Sequence, residues 1–243
     1  MRVFLTFLFT IGFLSVIAQP GCPPPFGDDK NAFSPFHITI GTGITHLNGT
    51  LKDNDKLGHV LLGKVDYQFL KGLYIGVEGQ IGALRAQSQD TIRAVRNNYL
   101  AAGMNLTIHP FEILMSEQFS NEKIQRGFNA FYVGTGMRAI RNKYDMDESY
   151  NLDVANYNEA NGTWILPSLN IGFALPISTV KWNKTGYLSA IINAQFNYGS
   201  NENLDGFHAR QLVTNEDGTV SNRLVDGHKD RYNAYYIGLR YSF

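Results

Sequence analysis

A single cysteine, Cys22, stands in the 243 residues. One thiol cannot close an internal disulfide or build a multi-cysteine metal site, so the fold must be held by other means. Charge is scarce as well: Asp, Glu, Lys and Arg make up 17% of the chain and cancel to a formal net charge of zero. The cations are scattered, which removes the basic footprint that a nucleic-acid binder needs to neutralise phosphates. Long hydrophobic runs are missing beyond the N-terminus. No later segment reaches the roughly 18 apolar residues of a membrane-spanning helix. What the chain has instead is 24 Gly and 13% aromatics, a balance that suits one β-rich domain.

Residues 1–18 carry one early cation, Arg2, and then an apolar run from Val3 to Ile17. That is the length of a signal-peptide core and short for a span. Cleavage is expected between Ala18 and Gln19, leaving about 225 residues. Residues 19–35 read as a Pro/Gly-rich periplasmic leader, because Pro23, Pro24 and Pro25 cannot donate to a ladder. Cys22 reads as part of this leader. Gln19, Pro20 and Gly21 before it are not the aliphatic and small residues of a lipid-anchor signal.

From Phe36 to Phe243 the dominant period is two, the signature of strands with one apolar face. Ile38, Ile40 and Ile44 alternate with His37, Thr39, Gly41, Gly43 and Thr45. Leu61, Val65, Tyr67 and Phe69 alternate with Lys64, Asp66 and Gln68, and Leu73, Ile75, Val77 and Ile81 with Tyr74, Glu78 and Gln80. Five further segments repeat the pattern near residues 99–109, 131–139, 165–175, 188–197 and 235–243. Eight strands of about ten residues match the length needed to cross a bilayer at the usual tilt. Pro167 interrupts the sixth, where a bulge or break is expected. Short links near 71–72 and 176–184 alternate with longer polar ones. The link 110–127 is long for its side, and 111–119 is expected to form a short amphipathic helix.

Period two alone does not say which face looks outward. The polar face is dense in Gly (41, 43, 76, 82, 103, 134, 136, 172 and 238) and poor in Lys and Glu, which suits a narrow filled interior better than a solvated wall. The apolar face ends in Phe36, Tyr67, Phe69, Phe131, Phe173, Tyr241 and Phe243, an interfacial aromatic girdle. Lys64, Asp66, Glu78, Arg138 and Arg240 then point inward, and enclosed charges of both signs are expected to pair. Arg240 is expected to meet Asp66 or Glu78.

The closing run Tyr235-Tyr236-Ile237-Gly238-Leu239-Arg240-Tyr241-Ser242-Phe243 resembles the terminal strand of bacterial outer-membrane proteins. Over residues 36–243 the chain is similar to the small outer-membrane β-barrel family of OmpA and OmpX type. The resemblance implies an all-β, eight-stranded antiparallel up-and-down transmembrane β-barrel in the cell outer membrane, following the cleaved signal peptide. It further implies contact with outer-membrane lipid and recognition of the Phe243 strand by the barrel-assembly machinery. It implies no activity.

No catalytic, cofactor-binding or metal-binding residue is assigned. His37, His109, Ser168 and Glu78 are the groups from which acyl transfer would draw, yet they form no local motif. His37 and His109 read as polar residues at the water boundary of their strands. His46, His59, His208 and His228 have no metal spacing. The sequons at Asn48, Asn105, Asn161 and Asn183 read as chance, with Asn48-Gly49 and Asn161-Gly162 better taken as turns. In loop 199–230, residues 211–214 and 219–221 flank Asn215-Glu216-Asp217-Gly218 and read as a hairpin that could extend a partner's sheet. The leading expectation is a structural or surface-interaction barrel without catalysis. Its alternatives are a lipid-modifying enzyme of deacylase or acyltransferase type and a soluble exported barrel for an apolar ligand.

Overall fold

The computed structural model describes residues 35–49, 56–87, 94–114, 127–145, 149, 162–182, 186–199, 204, 210–214, 220–224 and 229–243. The expected signal peptide, nearly all of the expected leader and Cys22 lie outside them. In chain order the elements are β1 (Phe36–Asn48), β2 (Leu57–Leu70), β3 (Leu73–Gln87), β4 (Ala94–Ile108), α1 (Pro110–Leu114), β5 (Phe131–Tyr144), β6 (Thr163–Trp182), β7 (Gly186–Tyr198), β8 (Arg210–Thr214), β9 (Val220–Leu224) and β10 (Arg231–Ser242).

Eight of these strands close into one antiparallel barrel, in which each strand from β1 to β6 pairs with the next and β10 lies between β7 and β1. Closure is made by the β1–β10 ladder, from His37 opposite Ser242 to Asn48 opposite Arg231. It ends in reciprocal bonds between Phe36 and Phe243, with N–H to O distances of 3.3 and 3.0 Å. Both ends of the barrel segment therefore lie at one end of the barrel, here termed the near end. Lys71 and Gly72 (φ 72°) make the β2–β3 turn there, a positive φ that glycine adopts without a β-carbon penalty.

The barrel strands run from 12 to 20 residues, longer than the ten or so that the apolar pattern marks out. The apolar alternation ends where the hydrophobic belt ends, whereas backbone pairing continues. Asn97 and Asn98 still pair with Tyr144 and Lys143. At about 3.3 Å per residue and a tilt near 40°, even a 12-residue strand spans about 30 Å.

The break expected at Pro167 is absent. Pro167 pairs in register with Met137, and the β6–β7 ladder starts one residue later at Ser168, so its missing N–H interrupts nothing on that side. The irregularity sits instead at Pro176, where the β6–β7 register shifts between Pro176 and Ser178. The expected 176–184 link is correspondingly shorter, since β6 reaches Trp182 and β7 begins at Gly186. The expected helix at 111–119 begins one residue earlier and is described only as α1, Pro110–Leu114.

β8 and β9 form a separate antiparallel pair, from Arg210 opposite Leu224 to Thr214 opposite Val220. This agrees with the hairpin expected around Asn215–Gly218, whose turn lies outside the described residues. Leu204 of the same loop packs with the interior cluster. Leu204 is fully buried, its carbonyl accepts from Asn97 Nδ2 at 2.9 Å, and its N–H donates to Asp230 Oδ2 at 2.7 Å.

Glycine serves two different purposes in this wall. A β-carbon at inward Gly43 would collide with the Tyr235 carbonyl oxygen, while one at outward Gly79 would meet nothing within 4 Å. Gly43→Val is therefore expected to destabilise the refolded barrel by about 2 kcal/mol or more. Gly79→Ala should stay within about 0.5 kcal/mol, with urea unfolding in lipid vesicles as the measurement for both.

Candidate functional site

Wall polarity is inverted relative to a water-soluble barrel. The outward set is apolar and exposed, with Ile40 at 65%, Met137 at 66% and Ile237 at 64%. The inward set is polar through the near and middle thirds, and there it forms the chemically richest region of the molecule.

In the middle of the barrel Glu78 is surrounded by donors. Gln80 Nε2 donates to its Oε1 at 2.6 Å, Gln195 Nε2 to the same oxygen at 3.2 Å, and Asn105 Nδ2 to Oε2 at 3.3 Å. Arg138 Nη1 lies 3.4 Å from Oε1. The same guanidinium donates to Gln195 Oε1 and, at 3.4 Å, to Ser168 Oγ. Ser168 and Glu78 thus come together, as two acceptors sharing one arginine. Nearer the near end, Asp66 lies between Lys64 Nζ at 2.9 Å and Arg240 Nη2 at 3.7 Å. Arg240 meets Asp66 as expected, and Lys64 also reaches Thr107 Oγ1 at 3.3 Å. Gly76 makes room for this carboxylate, since a β-carbon there would strike Asp66 Oδ1.

The near end is closed by aromatic rings and α1. His37 and His109 pack on opposite sides of the sequence around Tyr74, at centroid distances of 5.1 and 4.7 Å. Tyr132 packs tilted against His109 at a centroid distance of 5.4 Å and donates its hydroxyl to Asn193 Oδ1 at 2.8 Å. The expectation that both histidines sit at a water boundary is corrected: they are 2% and 4% exposed. The reason is the ring layer itself: Tyr74 packs on both histidines, and Glu112 of α1 bonds to Tyr74 and lies 4.0 Å from His109. Glu112 of α1 accepts from Gln68 Nε2 at 3.2 Å and from the Tyr74 hydroxyl at 3.1 Å. His37 Nδ1 lies 2.6 Å from Ser242 Oγ, a His–Ser pair that the spacing in sequence does not announce. Ser242 is fully buried, so the pair is enclosed by the wall.

Two groups of this cap lie beyond the strands. Burial pushes His109 down to about 4, partly opposed by its bond at 3.0 Å to the Asn129 carbonyl. Burial raises the Glu112 carboxyl, while the bonds from Tyr74 and Gln68 pull it back.

The far third differs in kind. Leu47, Val60, Leu84, Val95, Ile140 and Leu166 face inward and pack with Tyr99, Tyr232 and Leu204. Tyr74, Tyr132, Ser242 and Gln195 all belong to the inward set by parity, but parity cannot say which of them meet. Glu112 and Leu204 lie in links without a period, and only a lone apolar residue among polar neighbours marks Leu204. Among the described residues no group of three His, Cys, Asp or Glu side chains could hold a metal ion.

Removing one partner of the central pair, by Arg138→Met or Glu78→Leu, is expected to destabilise the barrel by about 3–5 kcal/mol because an unpaired charge stays enclosed. The double variant should recover much of that loss in a double-mutant cycle of urea unfolding. For the cap, His109 binds a proton less readily when folded, so stability falls as pH drops from 6.5 towards about 4. The raised Glu112 acts in the opposite direction, losing stability as pH rises above 4.5. Hydrogen exchange of the His109 amide, bonded to the Gly72 carbonyl at 2.8 Å, is the readout. His109→Asn should remove an acid-side loss on the order of 3 kcal/mol. Glu112→Gln should remove the opposing slope.

Neither a scan against protein-family models nor a search of curated proteins gives a match. Among solved structures, Neisserial surface protein A is similar at TM-score 0.47 and 12% identity, covering 86% of this chain and 97% of that one. Ail, the attachment invasion locus protein of Yersinia pestis, in complex with a heparin analogue, is similar at 0.43 and 11%, covering 87% and 100%. The outer membrane protein OprG from Pseudomonas aeruginosa is similar at 0.40 and 8%, covering 89% and 99%. At these scores the likenesses carry no argument, and the eight-stranded closure rests on the strand pairing of this chain itself.

Proposed function

We propose that this chain is an outer-membrane β-barrel that anchors an interaction surface built from its far-end loops, without chemistry of its own. The observation that carries the reading is the inverted polarity of a closed wall. A continuous apolar belt of this size would drive aggregation in water. In hydrocarbon it is the required exterior, and closure leaves no unpaired strand edge in the barrel. The near end corresponds to the periplasmic side: it holds the short turn, and Phe36, Tyr67, Tyr241 and Phe243 gather there with ring centroids 5.1 to 6.0 Å apart. Phe243 on the closing strand is the residue offered to the assembly machinery.

The filled interior supports a structural wall over a conducting path, as eight strands leave room for little besides side chains. The lipid-modifying alternative needs a nucleophile that lipid can reach, and Ser242 is enclosed. A soluble ligand-binding barrel needs an apolar lumen throughout, and here only the far third is apolar. Interaction is assigned to the β8–β9 hairpin, because among the described residues each of its strands pairs only with the other, leaving both outer edges available for strand addition.

Cell fractionation should place the protein in the outer membrane, with a folded band that shifts on boiling. Recovery from the periplasm without detergent would overturn the membrane reading. Lipid A from cells with and without the protein should show the same acylation pattern by mass spectrometry. Deleting 210–224 should leave the heat-modifiable band intact and abolish attachment of expressing cells to a host-cell or partner-cell surface.

A further inference from the structure

The link between β4 and β5 divides its side chains between the two sides of the wall within a single turn. Glu112 accepts from Gln68 Nε2 and from the Tyr74 hydroxyl, both of the inward set, so it belongs to the lumen mouth. Phe111, its neighbour in sequence, lies against Phe131 at a ring-centroid distance of 5.9 Å and against Phe128 at 5.2 Å. Phe131 is outward by parity, since Tyr132 beside it is buried in the lumen, and it packs on outward Phe173 at 5.4 Å. The rings of Phe173, Phe131, Phe111 and Phe128 therefore form one row that leads from the lipid-facing girdle onto the link. The apolar surface continues there. Ile113 and Phe128 are exposed, and Leu114 is 77% exposed. On β6, exposed Leu175 extends the outward set one step past Phe173, and beside it the Ala174 N–H donates to the Ala130 carbonyl at 2.7 Å.

A contiguous apolar ledge beside polar groups marks a contact surface. Two observations name its cover. The ledge is continuous with a face that already meets hydrocarbon, and it adjoins the aromatic girdle, the depth at which a headgroup boundary accepts rings and aliphatic side chains together. We infer that α1 and Phe128 form an interfacial anchor lodged in the phospholipid of the inner leaflet, and that this lipid contact holds Glu112 in the lumen mouth. Phe111 and Glu112 are consecutive residues of one helical turn, so lifting the first out of the leaflet draws the second away from Gln68 and Tyr74. The inference rests on the membrane reading, with the near end on the periplasmic side. It adds a membrane contact made outside the strands and a lumen cap whose closure depends on lipid. The competing covers are residues 115–126 of this chain, a second copy and a periplasmic protein.

The test uses the full chain in vesicles of phosphatidylethanolamine and phosphatidylglycerol, with Cys22→Ser and one nitroxide label introduced through Ile237→Cys, Leu114→Cys or Phe128→Cys. Relaxation of the label by oxygen, which concentrates in hydrocarbon, is compared with relaxation by a water-soluble nickel chelate. Position 237, in the middle of the belt, is scored first. A label there that favours the chelate overturns the membrane reading, and this inference with it. With position 237 in hydrocarbon, the labels at 114 and 128 should favour oxygen as well. Preference for the chelate at either position overturns the anchor and leaves the ledge to a water-borne partner. Screening from both relaxants assigns the cover to residues 115–126, and broadening between labels assigns it to a second copy; each of these overturns the lipid. The coupling is read in the same vesicles by exchange of the His109 amide, which donates to the Gly72 carbonyl at 2.8 Å. Leu114→Gln keeps the helix propensity and removes the apolar side chain, so it should leave the heat-modifiable band intact and speed this exchange about tenfold, with Leu114→Met close to the parent. Unchanged exchange in Leu114→Gln overturns the coupling, because a side chain so exposed can steady the cap only through what lies over it.

Discussion

Everything in this structure depends on the ladder by which β10 returns to β1. An open eight-stranded sheet would leave two rows of unpaired N–H and C=O groups, each costly in hydrocarbon and adhesive in water. Closing the sheet removes both rows but encloses a lumen only as wide as the side chains that fill it. The interior chemistry then follows. Asp66 has room because residue 76 is glycine, and Glu78 is tolerable because Arg138 and three amides surround it.

The lumen falls into three zones along its axis. The near end is an aromatic and histidine layer shut by α1, the middle is ion-paired, and the far end is apolar. Among the described residues Lys64, Arg138 and Arg240 outnumber Asp66 and Glu78 by one inside the wall, and Glu112 is a carboxylate that α1 adds at its mouth. A link that looks merely too long in sequence therefore completes the near end. At the other mouth Leu204 does the corresponding work with a hydrophobic contact. Both plugs come from connections, and both are pinned by side-chain hydrogen bonds to wall residues, Gln68 and Tyr74 at one end and Asn97 at the other.

The outside of the wall is zoned as well. Aromatic rings mark the near boundary and arginines and a lysine mark part of the far one, with the aliphatic belt between. Such asymmetry is what a bilayer with chemically different leaflets would select. The interior salt bridges lie inside the wall and Arg85, Arg96, Arg141 and Lys143 on its outside, so the two charge systems can be altered separately.

Fold class, strand number and the facing of nearly every residue were legible in the sequence, because a strand alternates its side chains with period two and a one-residue slip would reverse them all. The inward placement of Lys64, Asp66, Glu78, Arg138 and Arg240 came with that parity. Strand ends were not legible, since backbone pairing continues into polar residues such as Asn97 and Asn98 after the apolar signal stops. Pro167 misled for a related reason: its cost depends on whether a neighbouring strand lies alongside, which is a matter of register. Only the tertiary structure decided that Ser242 meets His37 across 205 positions, that Glu112 of α1 reaches Tyr74, and that Arg85 opposes Arg96. These contacts depend on stagger between strands and on where aperiodic links fold back, and neither leaves a period in the chain.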